Sequence, residues 1–293
     1  MARAPHIAAM PTLRDSIGSE IRRIFAEPGG QPIEISRQDH GLFGPHSVCW
    51  HVHGDVTPMM IGGIASLLLQ MLDQRVLAGV WDHSVFRQDM RGRLRRTAAF
   101  LARTTYGDRA QALGEIERIR RIHDHVRGQL PDGTPYFAND PGSLAWVHVT
   151  ESQCFLDAYI RYRKPHMSLR DRDRYFAEMA QIGRLLGADP VPMSYREAQR
   201  MIRQARPRLR FDERTREIAD LLLNQPPASP RLAPFHYMTM QAGVDLLPPW
   251  ARRMHGLSIS LPAWLAVRGG TTGMAAITRW ALAQGSTVRG AGA

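Results

Sequence analysis

Residues 142–164 read GSLAWVHVTESQCFLDAYIRYRK and predict a helix that is apolar on nearly all of its sides. Such a helix has no broad face suited to water, so it is typical of the centre of a domain, where other helices surround it. One of its faces carries His148, Ser152, Phe155 and Tyr159. We therefore expect this segment to form the central helix of the fold.

Helical periodicity dominates the chain from Pro58 onward, and few runs alternate with the period of two that strands show. Breaks separate the helical segments at residues 107–108, 131–142, 164–168 and 187–194. Ser168 and Ser194 are each followed three residues later by an acid, a spacing that caps the first turn of a helix. Gly107 and Gly187 are placed to end helices. The sequence therefore predicts an all-α fold.

The predicted domain organisation is a single multi-helix domain over residues 20–260. An N-terminal segment, 1–19, precedes it, and a C-terminal helical extension with a tail, 261–293, follows it. The proline-rich stretch 225–234 is the best candidate for a linker, but apolar helical segments continue beyond it. A chain of 293 residues does not require a second core.

The formal net charge is +11, and arginine carries almost all of the positive charge because Lys164 is the only lysine. Arginine binds carboxylates and phosphates, which makes an anionic ligand plausible. Many arginines alternate with acids, as in residues 196–217, and this pattern is typical of a solvated helix surface. Since no nucleic-acid-binding motif accompanies the charge, we expect no nucleic-acid partner.

Cys49 and Cys154 are far apart in apolar surroundings, which favours two reduced, buried thiols in a reducing compartment. The first residues lack the sustained apolar core of a signal peptide. The longest apolar run, residues 59–72, is too short to span a bilayer. We therefore expect a cytoplasmic protein without a transmembrane segment.

Two histidines lie close together in the segment RAQALGEIERIRRIHDHVRG at residues 109–128. Its apolar stripe consists of Ala112, Leu113, Ile116, Ile119, Ile122 and Val126. At about 100° per residue His123 falls within this stripe, whereas His125 lies about 200° further round. His123 is therefore either a buried ligand or a core histidine bonded to a carbonyl oxygen.

A second helical segment, residues 87–107, places arginines on a partly apolar face. That face carries Arg93, Arg96, Thr97, Phe100 and Thr104. Two guanidiniums on such a face either meet solvent or hold a ligand with carboxylates or phosphates. A buried histidine beside an arginine face is the arrangement that a haem with two propionates requires. His148 either lines the same pocket or is another core histidine.

A rival metal signal lies in WHVHGDVTP at residues 50–58. In an extended segment, His51, His53 and Asp55 would all face one side. Two imidazoles and a carboxylate suit iron or zinc. A non-haem metal enzyme is therefore an alternative.

Several segments in order resemble one family. They are GLFGPHSVCW (41–50), GGIASLLLQ (62–70), DHSVFRQDMRGRLRRT (82–97), HDHVRG (123–128), YFANDPGSLAWVHVTES (136–152), LLG (185–187) and LLPPWARRMHGL (247–258). The chain is similar to the catalytic domain of rubber oxygenases, or latex clearing proteins, and of MpaB-type oxygenases. The resemblance covers about residues 20–260. It implies a globin-like helical core that binds haem b.

The resemblance also implies roles for individual residues. The family's H-x-x-V-R pattern makes His123 the proximal iron ligand and includes Arg127. The distal pattern R-x-x-(K/R)-T falls on Arg93, Arg96 and Thr97. By this resemblance Arg93 anchors a propionate, and Arg96 and Thr97 are catalytic, shaping the distal side and bonding to dioxygen. Arg127 and His148 are further candidates for cofactor binding.

Relatives of this family cleave carbon–carbon double bonds with dioxygen. Rubber-cleaving members have a lysine that can ligate iron where this chain has Arg96, so polyisoprene is not the expected substrate. We expect a haem b oxygenase that acts on an apolar, unsaturated small molecule such as an isoprenoid or a fatty chain. The alternatives are the non-haem metal enzyme and a helical haem-binding protein without turnover.

Overall fold

The computed structural model describes residues 12–24 and 38–283 of the chain. Residues 1–11, for which no signal peptide is expected, lie outside these ranges. The described helices are α1 (Leu13–Ile24), α2 (Val48–His53), α3 (Val56–Gln70), α4 (Gln74–His83), α5 (Phe86–Tyr106), α6 (Arg109–His123), α7 (Pro141–Tyr162), α8 (Leu169–Leu186), α9 (Tyr195–Ala205), α10 (Glu213–Leu223), α11 (Ala233–Leu246), α12 (Pro249–Met254) and α13 (Leu261–Leu282). The predicted all-α fold and single domain are confirmed.

The remaining regular elements are short. Two strands, β1 (Arg127–Gln129) and β2 (Pro135–Phe137), form an antiparallel hairpin between α6 and α7. Single 3₁₀ turns lie at Arg206–Arg208 and Pro230–Leu232. Strand β2 falls in the break predicted at residues 131–142, whereas β1 begins in the segment 109–128, which was predicted to be helical.

The predicted central helix is confirmed as α7. Its side chains Trp146, Phe155 and Leu156 are fully buried, and α3, α8 and α9 pack around it. α3 is itself buried along most of its length and is covered on its other side by α11 and α13. The hydrophobic core therefore lies along the α3–α7 pair.

The closest contact between these two helices occurs at Gly62 of α3. A Cβ atom there would lie 2.8 Å from Cδ1 of Phe155 and 2.9 Å from the carbonyl oxygen of Cys154. Such distances are shorter than van der Waals contact, and one of the two opposing atoms belongs to the backbone. Only glycine at this position allows α3 and α7 to approach so closely.

Side-chain caps define several helix ends. The hydroxyls of Ser168 and Ser194 accept hydrogen bonds from the backbone N–H groups of Asp171 and Glu197, as their spacing predicts. Gly187 ends α8 with a φ of 97°, in the left-handed region that favours glycine. These caps set the boundaries of the helices that follow the central one.

Two local conformations differ from the sequence prediction. Residues Val48–His53 are helical rather than extended, and the helix α6 ends at His123 rather than continuing through His125. In addition, α5 is bent at Asp89, whose φ and ψ of −145° and 66° are not helical. The bend separates a short first turn from the part of α5 that carries Arg93.

No single helix in the described part of the chain is long and apolar enough to cross a bilayer. Taken together, α3 and α4 have a sufficient length and an apolar composition, but they are bent by 105° relative to each other.

The α3–α7 contact generates the first prediction. Gly62→Ala should lower the free energy of unfolding by about 1–3 kcal/mol, because the new methyl group overpacks against the α7 backbone. The matched control is Gly114→Ala on the exposed side of α6, where a Cβ meets no atom within 4 Å. This change should instead stabilise the protein, by about 0.5–1 kcal/mol. Urea denaturation of both variants measures the two changes in the free energy of unfolding. Equal changes in the two variants would contradict the close contact at Gly62.

Candidate cofactor site

The helices α5 and α6 form an antiparallel pair because only a two-residue turn separates them. The guanidinium of Arg103 pairs with the carboxylate of Glu115 at 2.9 Å and fixes their register. At 1.5 Å per residue, Arg93 lies about 15 Å from this ion pair along α5, and His123 lies about 12 Å from it along α6. Both residues therefore lie toward the same end of the helix pair.

His123 is the last residue of α6, and its ring is largely enclosed. Its Nδ1 atom is buried and has no hydrogen-bond partner among the described residues. Burial lowers the pKa of the imidazole, and the nearby Asn139 and Asp124 side chains oppose this effect in part. The ring is therefore neutral at neutral pH, which is the form that binds a metal ion.

His125 has the opposite environment. It is exposed, and its Nδ1 atom donates to the carbonyl oxygen of Arg121 at 2.9 Å. The outward position predicted for His125 and the inward position predicted for His123 are both observed. Since α6 ends before His125, the turn at Asp124 rather than helix geometry directs His125 outward.

The β-hairpin supports the end of α6. Its Tyr136 hydroxyl donates to the carboxylate of Asp82 on α4. Directly after the hairpin, the Asn139 amide donates to the Arg120 carbonyl oxygen at 3.1 Å and to the Asp124 carboxylate at 2.7 Å. These bonds hold the C-terminal turn of α6, and hence His123, in place.

Arg93 is a deeply placed cation without a carboxylate partner. Its guanidinium donates to the hydroxyl of Ser84 at 3.1 Å and forms no ion pair with any residue in ranges 12–24 and 38–283. Burial, and secondly the nearby Arg96, lower the pKa of Arg93 to about 10. The side chain stays charged at neutral pH, and a half-buried charge without an ion pair is unfavourable.

Arg96, Thr97 and Arg127 are all exposed. Arg96 lies 3.6 Å from the carboxylate of Asp89, and the Thr97 hydroxyl donates to the carbonyl oxygen of Arg93. Arg127 belongs to β1, where all three residues are exposed. Of the predicted site residues, these three thus lie at the surface, Arg93 and His123 are half-buried, and His148 is buried.

His148 on α7 is buried, and its Nε2 atom has no partner in the described part of the chain. A Cβ at Gly183 of α8 would lie 3.0–3.1 Å from its Nε2, Cδ2 and Cε1 atoms. The tip of the ring therefore abuts the α8 backbone. Burial lowers the pKa of His148 to about 4, so the ring is neutral. In this position His148 packs two helices together, and its predicted role in cofactor binding stays a prediction.

The alternative prediction of a metal site at His51, His53 and Asp55 is wrong. In helix α2, His51 is exposed, whereas His53 is buried and bonds to Thr105 and Tyr175. The carboxylate of Asp55 pairs with Arg279 at 2.9 Å. Within residues 12–24 and 38–283, no group of three or more His, Cys, Asp or Glu side chains could hold a metal ion. The error arose because the segment is helical, not extended.

The structure adds one residue that the sequence reasoning missed, Glu151 on α7. It lies deep beside Tyr175 of α8 but keeps some accessible surface, and the described residues offer it no ion pair or hydrogen bond. Burial raises its pKa to about 7. Its position on a largely apolar central helix, which has only one other acid, Asp157, is the signal that could have identified it.

Together these features define a helical protein with a candidate site, in which a neutral imidazole and a guanidinium without an ion pair lie toward one end of a helix pair. Residues 50–280 match the family described as ER-bound oxygenase mpaB/B'/Rubber oxygenase, catalytic domain, and the chain belongs to this family. The predicted family is confirmed. The match runs from α2 into α13 and includes every site residue discussed above. No curated protein and no solved structure matches the chain.

The pKa of Glu151 generates a pH prediction. In the unfolded chain this carboxyl group ionises near pH 4.5, whereas in the folded protein it keeps its proton up to about pH 7. The folded state therefore binds more protons between these values, and stability falls as pH rises through this window. Relative to Glu151→Gln, the wild type should lose about 3 kcal/mol between pH 4.5 and pH 7.

Chemical denaturation of both proteins across this pH range measures the difference. Glu178→Gln is the matched control, because Glu178 is ion-paired with Arg174 on α8. A constant difference between wild type and Glu151→Gln would show that Glu151 ionises normally in the folded protein.

Proposed function

We propose that this protein is a haem b oxygenase that acts on an apolar, unsaturated small molecule. The family supports an oxygenase role. The observation that carries the haem proposal is a pair of half-buried groups. They are the His123 imidazole, whose Nδ1 atom has no hydrogen-bond partner among the described residues, and the Arg93 guanidinium, which forms no ion pair with them.

A second histidine of the same protein shows what a purely structural imidazole looks like. The Nε2 atom of His255 donates to the carbonyl oxygen of Leu68 at 2.9 Å, although its Nδ1 atom, like that of His123, is buried without a partner among the described residues. The difference is that neither ring nitrogen of His123 bonds to a described backbone carbonyl oxygen. His123 would therefore be free to hold the iron of a haem through a ring nitrogen.

Arg93 fits the rim of the same group. A haem carries two carboxylates, and a guanidinium binds a carboxylate through paired, charge-assisted hydrogen bonds. Ser84 satisfies only one of the five N–H donors of Arg93. A propionate would supply the missing negative charge, and the neighbouring Arg96 would add to the attraction.

When bound, the haem would supply the iron that activates dioxygen. The chain would contribute binding and orientation through His123 and Arg93. Glu151 would hold a proton near neutral pH in the interior, which is the property of a group that transfers protons. By analogy with relatives that cleave carbon–carbon double bonds, the substrate would be an isoprenoid or a fatty chain.

The state of the cysteines supports a reducing compartment, and we propose a cytoplasmic location. Cys49 and Cys154 are both buried and unpaired. Burial raises the pKa of both thiols, so they are protonated and unreactive.

The experiment that tests the function is a titration of the purified protein with hemin, followed by its Soret absorption. His123→Ala should lose most of the binding because the axial nitrogen is removed. His125→Ala is the matched control, since the two residues are neighbours and only His123 is enclosed. It should bind hemin like the wild type. Equal binding by the two variants, or a wild type that takes up no hemin, would contradict the proposal.

A further inference from the structure

A second site lies at the surface, where the end of α9 and the following 3₁₀ turn meet α12. Here an open cleft of about 690 Å³ is lined by Arg203, Arg206, Pro207, Trp250, Arg253 and Met254. The guanidinium carbon of Arg206 lies 5.0 Å from the centre of the Trp250 ring. Three cations thus surround one aromatic ring.

The charge of this cleft is not compensated by the protein. Arg203, Arg206 and Arg253 form no ion pair with another described residue. Adjacent arginines that face the body of the protein do have acidic partners: Arg208 pairs with Asp73 at 3.0 Å, and Arg252 lies 3.8 Å from Asp245. The three arginines that line the cleft are therefore not neutralised by a described acid.

The lining indicates the chemistry of a ligand. Three converging guanidiniums produce a positive potential that suits a group with two or more negative charges, and guanidiniums match phosphate oxygens in geometry. Trp250 and Met254 are half-buried and provide an apolar surface on which a flat ring can stack. The volume lies in the range of sites for organic molecules of nucleotide size.

We propose that this cleft binds a nucleotide-like phosphate ester, with its phosphates on Arg203, Arg206 and Arg253 and its ring against Trp250. The site belongs to α9 and α12 and does not include any residue of the proposed haem site. The proposal for this cleft can therefore be tested independently of the haem proposal.

Calorimetric titration with ATP, tripolyphosphate and adenosine tests the proposal on the full-length protein. ATP should bind more tightly than tripolyphosphate, and adenosine should not bind measurably. Arg206→Ala and Arg253→Ala should each weaken ATP binding about tenfold, the effect of one charge-assisted contact. Trp250→Leu should weaken the binding of ATP but not of tripolyphosphate.

The matched control is Arg109→Ala, which removes the same charge from an exposed position at the start of α6, an element that does not line the cleft. It should change the affinity for ATP by less than about twofold, since salt screens distant charges. An equal loss in Arg109→Ala would show a general effect of net charge and would overturn the proposal. No ATP binding, combined with Arg206-dependent binding to phosphatidylserine vesicles, would assign the cleft to a membrane surface and would also overturn it.

Discussion

The approach of α3 to α7 at Gly62 is the constraint on which the rest of the structure depends. A glycine there lets the backbone of α7 lie against α3, and the remaining helices pack around this pair. Also on α7, the His148 ring meets Gly183 of α8, and Glu151 interacts electrostatically with Tyr175 of α8. Packing rather than hydrogen bonding thus positions His148.

The candidate site differs from the rest of the interior in how its polar groups are satisfied. Asp245 is buried and is surrounded by Arg161 and Arg268, while Asp55 pairs with Arg279. Arg93 has no such partner, although isolated buried charges are strongly unfavourable. Charged side chains in such surroundings occur more often at functional sites than elsewhere. Arg93 and His123 are therefore the leading candidates for residues of such a site.

Much of the fold follows from local patterns in the sequence. The apolar character of residues 142–164 identifies the central helix, and serine caps mark the starts of α8 and α9. The β-hairpin was not predicted because each strand has only three residues, too few to show a period of two. The segment around His53 was misread for the same reason, since five residues cannot distinguish an extended segment from a short helix.

The site was only partly predictable. The helix-face argument directs His123 inward because its apolar neighbours recur at helical spacing. The position of a residue on a helix face does not show how deep its side chain lies, so the sequence does not distinguish Arg93 from Arg96. In the structure Arg93 is largely enclosed, whereas the Arg96 side chain is 59% exposed. The depth of Arg93 depends on the bend at Asp89 and on the packing of neighbouring helices, which are long-range features. Glu151 was missed because one acid hardly changes the pattern of a helix of 22 residues.

The most direct measurement compares the binding of hemin with that of its dimethyl ester, which lacks free carboxylates, to the wild type and to Arg93→Ala. If Arg93 anchors a propionate, the wild type binds hemin more tightly than the ester, and Arg93→Ala removes this preference while leaving ester binding unchanged. Arg109→Ala, an exposed arginine at the far end of the α5–α6 pair, should keep the preference. Equal affinity of the wild type for hemin and its ester, or an Arg93→Ala variant that weakens both alike, would contradict the account.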